Sequence, residues 1–454
     1  MHKTSRFMGS AVLLAAAVTG CAGSAPEADA SQEAPSQQAS ELSGSRVWST
    51  PFSGIDGING LAVQPDGHAA ILGTSTSDIV VARFDPHGQL LWSKRFGDFN
   101  YQQATSIAVD SSGNLVISGD YWGELDFGGG ALPCPGSPGN PRAFVAKLDA
   151  NGGHLWSRCF GDGGQQQMGG LAVGPGGDVF ISGYFGGTID FGDGPVQAEG
   201  ASDQFVARLD SRGRAEWHTA YDAGTSGLGA LAVDGRGNVF VSGGFVDAIR
   251  AGTRTLVSDA GFNAYVLKLD RRGAPQWAKS FGAAQNQTAW RLAADATGNV
   301  VGAGAFLGTV DFGGGPLTAS GMDVFAVSLD GDGNHRWSHG FGGPGADWGF
   351  DVGLDPAGNV LITGAFQGTV DFGAGPLVSA GGDDIFVAKL SRSGQTLWSR
   401  GFGDFNNQAA FRVAAAGKRD AVLWGRLSGT VDFGAGPVTD YSSTGSVVAR
   451  ITPE

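Results

Sequence analysis

Short runs of alternating apolar and polar residues recur along the chain, and Asp, Asn and Gly occupy the turns between them. One unit covers residues 352–402 and reads as a strand, a D-x-x-G-N turn, a second strand and then a further hairpin. Asp favours such turns because its side chain bonds its own backbone, and Gly adopts positive φ without steric cost. The two-residue alternation and the lack of a helical period predict four strands in each unit.

This unit is repeated seven times. A Trp marks each copy, and the successive spacings are 44, 64, 61, 60, 60 and 61 residues. An apolar triplet such as Leu171-Ala-Val and a strand such as AFVAKLD (143–149) recur with it. A fixed period with four strands per unit indicates radial repetition. The sequence therefore predicts an all-β fold, a seven-bladed β-propeller with four-stranded blades. The marker positions are Trp48, Trp92, Trp156, Trp217, Trp277, Trp337 and Trp398.

The two ends of the repeat region each supply half of a hairpin. Residues 46–50 form a Trp strand that no VAKLD-like strand precedes, and residues 447–452 form a VAKLD-like strand that no Trp strand follows. Since an unpaired edge strand is a liability, we expect the N-terminal strand to complete the last blade, as a velcro closure.

A second repeated motif sits between the second and third strands. GTVDFGAGP occurs at 368–376 and again at 429–437, with close copies at 187–195 and 308–316 and degenerate ones at 123–132 and 247–256. We expect a short added hairpin whose Val and Phe pack on the blade below it. Together with the loops that join one blade to the next, these hairpins decorate one face of the ring. The D-x-x-G turns keep the other face short.

The strand motifs resemble the bacterial SBBP repeat, a seven-bladed β-propeller repeat. The family pattern is an apolar strand, D-x-x-G-N-V-Y-V-x-G, and then D-A-F-V-A-K-L-D-x-x-G. It is matched here by IAVDSSGNLVISG (107–119) and RAFVAKLDANGG (142–153). The resemblance covers about residues 46–451 and implies the fold and a surface location, but little about function. The DFGxGP hairpin departs from the family pattern.

The N-terminal residues predict a lipid-anchored envelope protein. Residues 1–20 combine a basic start with a short apolar run, which is typical of a signal peptide. Val18-Thr-Gly-Cys21 is similar to the lipobox at which bacterial lipoproteins are cut and acylated. An ordinary secretory signal is the alternative. Residues 21–45 read as the lipidated Cys21 and a flexible tether, and residues 46–454 as the propeller. We expect an outer-membrane or cell-surface location and a monomer.

The net charge argues against one class of partner, and the cysteines predict a disulfide. The net charge is −14 and the chain has no Lys/Arg cluster, which argues against nucleic acid. Cys134 and Cys159 both belong to the second blade, and a disulfide between them is expected if their Cα atoms lie within about 7 Å.

No catalytic residue, cofactor or metal site is predicted. The chain has no G-x-S-x-G, H-E-x-x-H or P-loop motif, and no nucleophile is paired with a base. One Asp in each of five inserts could contribute to a Ca²⁺ site, but a lone carboxylate beside Phe and Gly fits a turn cap better. These residues are Asp126, Asp190, Asp311, Asp371 and Asp432.

The decorated face is the candidate binding surface. Four aromatic residues fall near the loops of that face, where they either pack beneath a loop or contact a ligand: Phe99, Tyr101, Trp348 and Phe405. The leading hypothesis is a non-catalytic scaffold that binds protein or glycan. The alternatives are a structural envelope component and a propeller glycosidase or lyase whose acidic residues meet at the axis. Such an enzyme should break the repeat symmetry there, whereas the loops differ little between blades.

Overall fold

The computed structural model describes residues 47–453, apart from 99, 135–139, 162–163, 223–224, 259–262, 283–290 and 443–444. All regular structure in these residues is β-strand, and no helix long and apolar enough to cross a membrane occurs among them. The predictions for the signal peptide, Cys21, the tether and Phe99 concern residues outside this description.

The strands follow one another in a regular order. From the N-terminus to the middle of the chain they are β1 (Trp48–Pro51), β2 (Gly57–Val63), β3 (Ala69–Ser75), β4 (Asp78–Phe84), β5 (Leu90–Phe96), β6 (Gln102–Val109), β7 (Leu115–Tyr121), β8 (Arg142–Leu148), β9 (His154–Phe160), β10 (Gln166–Val173), β11 (Val179–Phe185), β12 (Thr188–Asp190), β13 (Pro195–Gln197), β14 (Asp203–Leu209), β15 (Ala215–Tyr221), β16 (Thr225–Val233), β17 (Val239–Val246), β18 (Ala248–Ala251) and β19 (Arg254–Val257). The remainder are β20 (Asn263–Leu269), β21 (Pro275–Phe281), β22 (Arg291–Ala294), β23 (Val300–Phe306), β24 (Thr309–Asp311), β25 (Pro316–Thr318), β26 (Asp323–Leu329), β27 (His335–Phe341), β28 (Trp348–Leu354), β29 (Val360–Phe366), β30 (Thr369–Asp371), β31 (Pro376–Val378), β32 (Asp384–Leu390), β33 (Thr396–Phe402), β34 (Ala409–Ala416), β35 (Asp420–Arg426), β36 (Gly429–Asp432), β37 (Pro437–Asp440) and β38 (Ser446–Ile451).

The predicted seven-bladed β-propeller is confirmed. Blades 1 to 6 are antiparallel sheets in the order β2-β3-β4-β5, β6-β7-β8-β9, β10-β11-β14-β15, β16-β17-β20-β21, β22-β23-β26-β27 and β28-β29-β32-β33. Blade 7 is β34-β35-β38-β1, so the N-terminal strand is its outer edge. The first strand of each blade contacts the first strands of its neighbours, and β34 contacts β2 to close the ring. Velcro closure is confirmed.

The predicted hairpins are present between the second and third strands. They are β12–β13, β18–β19, β24–β25, β30–β31 and β36–β37, and blade 2 carries a single bridge between Asp126 and Ala131. Blade 1 replaces the hairpin with a tight turn at Thr76, whose φ is 59°. We call the face that carries these inserts and the blade-to-blade loops the decorated face, and the opposite one the trimmed face.

On the trimmed face, each outer-strand Trp packs on a turn of the next blade. Trp217 Nε1 donates to the carbonyl of Arg271 at 3.0 Å. Gly273 in the same turn has a φ of +82°, and a Cβ there would lie 2.6 Å from the Trp217 ring. This pairing of an indole with a glycine turn, here called the tryptophan belt, recurs at six of the seven boundaries. The hydrogen bonds join Trp48 to Pro86, Trp92 to Ala150, Trp156 to Ser211, Trp217 to Arg271, Trp277 to Gly331 and Trp337 to Arg392.

Trp398 is the exception because of the closure. Its neighbour is blade 7, where β38 ends at Ile451 and β1 begins at Trp48, so there is no turn to supply a carbonyl. Trp398 Nε1 is buried and has no hydrogen-bond partner within the part of the chain that the structure describes. The seventh boundary therefore lacks a bond that the other six have.

On the decorated face, the insert Phe plays the corresponding part. Phe372 packs against Phe386 of its own blade at 4.5 Å between ring centroids and against Phe341 of the preceding blade at 5.1 Å. Val370 and Phe372 are fully buried while Thr369 and Asp371 are exposed, as the alternation predicts. Phe191 and Phe127 make the same pair of contacts in blades 3 and 2. The inserts therefore hold neighbouring blades together.

We expect the tryptophan belt to be measurable by comparing two matched variants. Trp277→Phe removes the bond to Gly331, whereas Trp398→Phe removes an N–H that has no partner. The free energy of unfolding should fall by about 1 kcal/mol more for Trp277→Phe, since that is the typical net value of a hydrogen bond. Chemical unfolding of the full chain measures both. Equal losses would show that the hydrogen bond contributes nothing.

The structure joins Cys134 to Cys159 in a disulfide, with 5.5 Å between their Cα atoms. The bridge ties the insert of blade 2 to its outer strand, and the two residues are 25 positions apart.

Non-reducing peptide mapping should recover the two cysteines in one cross-linked pair. The double variant Cys134→Ser/Cys159→Ser should lose about 3 kcal/mol of stability, as expected for a loop of this length. Titration of both side chains as free thiols would contradict the assignment.

Candidate functional site

The predicted binding-face aromatics lie at separate places on the decorated face. Phe405 is 74% exposed, and Tyr101 is 45% exposed with its ring edge-on to Trp122 at 5.5 Å. Trp348 is half-buried and begins β28, the inner strand of blade 6. No ring contact joins these three residues to one another within the described chain, and Phe99 is outside it. The structure therefore does not bring the predicted residues together as one patch.

The repeated acidic residues of the decorated face are turn caps. Asp371 Oδ1 accepts hydrogen bonds from the backbone N–H of Gly373 and Gly375 at 2.7 and 3.1 Å. The other insert carboxylates make the same two bonds. No group of three or more His, Cys, Asp or Glu side chains among the described residues could hold a metal ion.

The FGDFN loops are also organised by an Asp. Asp404 accepts hydrogen bonds from the Asn406 N–H, the Gln408 side chain and the Thr430 N–H, the last of which begins the insert of blade 7. Desolvation raises the pKa of Asp404, but these hydrogen bonds outweigh it and leave the pKa below its ordinary value. Asp98 makes the equivalent bonds and its pKa is lowered in the same way. The repeated loop is therefore a structural link between blades.

A cavity of about 210 Å³ lies on the propeller axis, and all seven inner strands line it. Two consecutive residues of each strand contribute, and blade 1 adds Asn59. One layer is apolar in every blade: Leu61, Ile107, Leu171, Leu231, Leu292, Val352 and Val413. The layer before it lies nearer to the decorated face, because the inner strands run from the decorated face to the trimmed face. We call it the polar layer: Gly60, Ser106, Gly170, Ala230, Arg291, Asp351 and Arg412.

The polar layer breaks the repeat symmetry. Its first four members are small, whereas blades 5 to 7 contribute Arg291, Asp351 and Arg412, all half-buried. The pairing with the second strand shifts at or directly before this position in blades 1 to 4, 6 and 7, so the bulge belongs to the repeat. Such bulges re-aim side chains. Because blades 5 to 7 are adjacent in the ring, their charged residues lie on one side of the axis.

Hydrogen bonds hold two of these three side chains. Arg412 donates from Nε and Nη2 to the carbonyl of Asn59, at 2.8 and 2.5 Å, and from Nη1 to the carbonyl of Phe411 at 2.7 Å. The Asp351 carboxylate accepts the N–H of Val413 at 2.9 Å. Arg291 makes no hydrogen bond or ion pair within residues 47–453 as the structure describes them. One guanidinium is therefore held in place, and the other has no bond to the described residues.

The charges of this cluster influence one another. Burial raises the pKa of Asp351, and the attraction of Arg412 and Arg291 offsets this only in part. Burial and, to a smaller extent, the neighbouring charge of Arg291 lower the pKa of Arg412 to about 9, although Asp351 opposes the change. Both effects are those expected where charges are withdrawn from water. At neutral pH Arg412 keeps its proton.

A row of aromatic rings lies directly on the decorated side of these charges. Phe350 stacks on Phe411 of the next blade at 5.0 Å, and Trp348 is nearly parallel to Phe350 at 6.3 Å. All three rings are half-buried, so part of each remains accessible. We call Trp348, Phe350 and Phe411 the aromatic row. It places apolar rings beside the charged part of the polar layer.

The loops differ little between blades, but the inner strands of blades 5 to 7 place unmatched polar residues near the axis, which is the asymmetry expected of a propeller enzyme. The sequence signal is the residue pair before each apolar triplet. It reads Asn-Gly, Thr-Ser, Gly-Gly and Gly-Ala in blades 1 to 4, then Trp-Arg, Phe-Asp and Phe-Arg in blades 5 to 7. Aligning the repeats at this pair would have found Phe350, Asp351, Phe411 and Arg412 together. The Trp of the fifth pair, Trp290, lies outside the described residues.

No protein-family model matches the chain, and no curated protein matches it. Solved structures align with it at low identity. The WD40 domain of coronin from Toxoplasma gondii is 9% identical over 90% of this chain and 86% of its own, with a TM-score of 0.46. Streptogramin B lyase is 10% identical over 90% and 98%, at 0.43. An ulvan lyase, a polysaccharide lyase, is 12% identical over 83% and 93%, at 0.43. Likenesses at this level do not indicate a function.

Proposed function

We propose that the protein is a non-catalytic binding propeller that takes a glycan at the decorated end of its axial cavity. The observation that carries this proposal is the aromatic row beside the polar layer. Small-molecule sites combine apolar and aromatic surface with a few placed polar groups. The repeat unit itself requires neither feature at this position, because four of the seven blades have small or uncharged residues there.

The chemistry of the row favours a saccharide over a flat apolar ligand. The C–H faces of a sugar ring pack on accessible aromatic rings, and its hydroxyls find hydrogen-bond partners in a polar layer. Here Asn59, Ser106 and the charged residues of blades 5 to 7 line the same cavity. The Asn59 amide donates to Thr74 and the Ser106 hydroxyl donates to the carbonyl of Gly169, so their oxygen atoms are the groups that could accept hydrogen bonds from a sugar hydroxyl. A protein ligand would instead need a larger continuous surface, of about 800 Å² on each partner.

The residues at the axis do not favour glycoside hydrolysis. Retaining and inverting glycosidases in most families use two carboxyl groups about 5 to 9.5 Å apart. Asp351 is the single acidic residue among the described residues that line the axial cavity. A lyase would need only one proton acceptor, so the binding experiments below include a check for cleavage of the saccharide.

The location that we propose is the cell envelope, with a lipid anchor at Cys21. The lipobox-like residues before Cys21 and the resemblance of the strands to SBBP repeats both support a surface lipoprotein. The polar composition of residues 22–45 supports a tether between the anchor and the ring. Two or three acyl chains on Cys21 would give the stable anchoring that a single chain does not.

The first test of the proposed function measures how strongly variants of the aromatic row bind a saccharide. The full-length protein in detergent micelles is screened on a glycan array, and the affinity for the strongest saccharide is measured by calorimetry. Phe350→Leu/Phe411→Leu keeps apolar volume but removes the rings, and should weaken binding roughly tenfold, as the loss of about 1.5 kcal/mol predicts. Phe405→Leu is the matched control because this exposed Phe lies outside the row.

Two outcomes would contradict the proposal. One is a protein that binds no saccharide but captures a protein from envelope extract whether or not the row is intact. The other is equal affinity for the saccharide in both variants. Thermal unfolding of each variant shows whether the ring has stayed folded. Mass analysis of the saccharide after incubation shows whether it has been cleaved.

The anchor is tested through Cys21. Wild-type protein should sediment with membranes and enter the detergent phase, because its acyl chains partition into lipid. Cys21→Ser should remain unprocessed, since the thiol that is acylated before cleavage is missing. Mass spectrometry of the N-terminal peptide identifies the acylated form. Recovery of Cys21→Ser as a normally cleaved, secreted protein would establish an ordinary signal peptide instead.

A further inference from the structure

We propose that Arg291, Arg412 and Asp351 form a subsite in the axial cavity for an anionic group of the glycan, a carboxylate or a sulfate. This inference rests on the proposed function and specifies it: the preferred ligand is an acidic saccharide, with its sugar ring on the aromatic row and its charged group in the polar layer.

The balance of charge is the first argument. The polar layer holds two cations and one anion, and its other members are Gly, Ser and Ala. The cluster is therefore positive by one unit inside a chain whose net charge is −14. A positive site at the axis of an acidic protein attracts a small anion that can enter the cavity and discriminates against cations.

The hydrogen-bonding capacity is the second argument. A guanidinium has five N–H donors in a planar fork, which suits two-point contact with a carboxylate or sulfate. Arg412 uses three of its donors on backbone carbonyls and is held in place by them. Arg291 uses none on the described residues, and neither arginine forms an ion pair with Asp351 there. Donors are thus available for a ligand without breaking an existing bond.

The shape of the cavity is the third argument. Its volume of about 210 Å³ corresponds to roughly seven waters at the density of the liquid, enough for one anionic group and part of a sugar ring. The apolar layer from Leu61 to Val413 lies beneath it on the side of the trimmed face. An anion in the cavity would therefore contact the arginines beside an apolar layer, where charge-assisted hydrogen bonds are stronger than in water.

The charge of Asp351 predicts how the affinity for an anion changes with pH. Its charge opposes an entering anion, and the charged groups that face it are Arg291 and Arg412. Protonation of Asp351 removes the opposition, so affinity for the anion should increase as pH falls from neutral. Loss of the Arg412 proton has the reverse effect, and affinity should decrease as pH rises past about 9. A sulfated probe keeps its own charge over this whole range.

The experiment compares charged and uncharged forms of the same probe. Affinities of the full-length protein are measured by calorimetry for trigalacturonate, for its methyl ester, which is similar in shape but uncharged, and for a sulfated galactose trisaccharide. At least one acidic probe should bind ten or more times tighter than the methyl ester. Sodium acetate and sodium sulfate serve as free anions and should bind far more weakly.

Three variants locate the effect. Arg291→Gln should reduce the preference for the acidic probe tenfold or more and leave the methyl ester unaffected. Asp351→Asn should increase the affinity for the acidic probe several-fold and abolish the rise at low pH. Lys418→Gln removes one exposed positive charge from the trimmed face and is the control for net charge. Because Arg291 has no bond to the described residues, its substitution is the least disruptive to folding.

The outcomes separate this inference from the proposed function. If charged and uncharged probes bind equally, and binding still depends on Phe350 and Phe411, the glycan site stands and the anionic subsite is wrong. The same conclusion follows if Arg291→Gln binds the acidic probe as the wild type does. If no saccharide binds, both proposals fail. Binding of acetate or sulfate alone, dependent on Arg291, would assign the cavity to a free anion.

Discussion

The packing of one blade's Trp on the glycine turn of the next is the contact on which the ring depends. At six of the seven boundaries it combines a flat ring surface, a residue without Cβ beneath it, and a carbonyl that accepts the indole N–H. The insert Phe makes a second contact between the same blades on the opposite face. Two belts of contacts, one for each face, resist tilting of a blade in either direction. The inner strands add contacts of their own between neighbouring blades, such as the Asp351 carboxylate that accepts the N–H of Val413.

The architecture could be predicted from the sequence because the belts repeat. The Trp, the D-x-x-G turns and the DFGxGP inserts are periodic, and each has one physical function wherever it occurs. Asp371 is an example, since a turn cap was expected from the glycines around it and the carboxylate bonds Gly373 and Gly375. The closure was predicted for the same reason, because a fixed period shows which half of a hairpin is missing at each end.

The candidate site could not be predicted in the same way, because it consists of departures from the repeat. Phe350, Asp351 and Arg412 occupy positions that small residues fill in the first four blades. The bulge at this position recurs in blades 1 to 4, so the side chains and not the backbone distinguish blades 6 and 7 there. The loop aromatics Tyr101 and Phe405 were more conspicuous in the sequence, but the structure leaves them apart. Trp398 is a second departure from the repeat. Its indole N–H has no hydrogen-bond partner among the described residues because the ring is closed at the neighbouring blade.

The closing strand also gives the molecule a polarity. As the outer strand of blade 7, β1 begins at the trimmed face, where Trp48 pairs with Arg450 and donates to Pro86. Val47, which leads into this strand, therefore lies on the side of the ring opposite the aromatic row. The closing strand and the proposed binding site thus meet the ring from opposite faces, so the closure can be altered at Trp48 without touching the residues of that site.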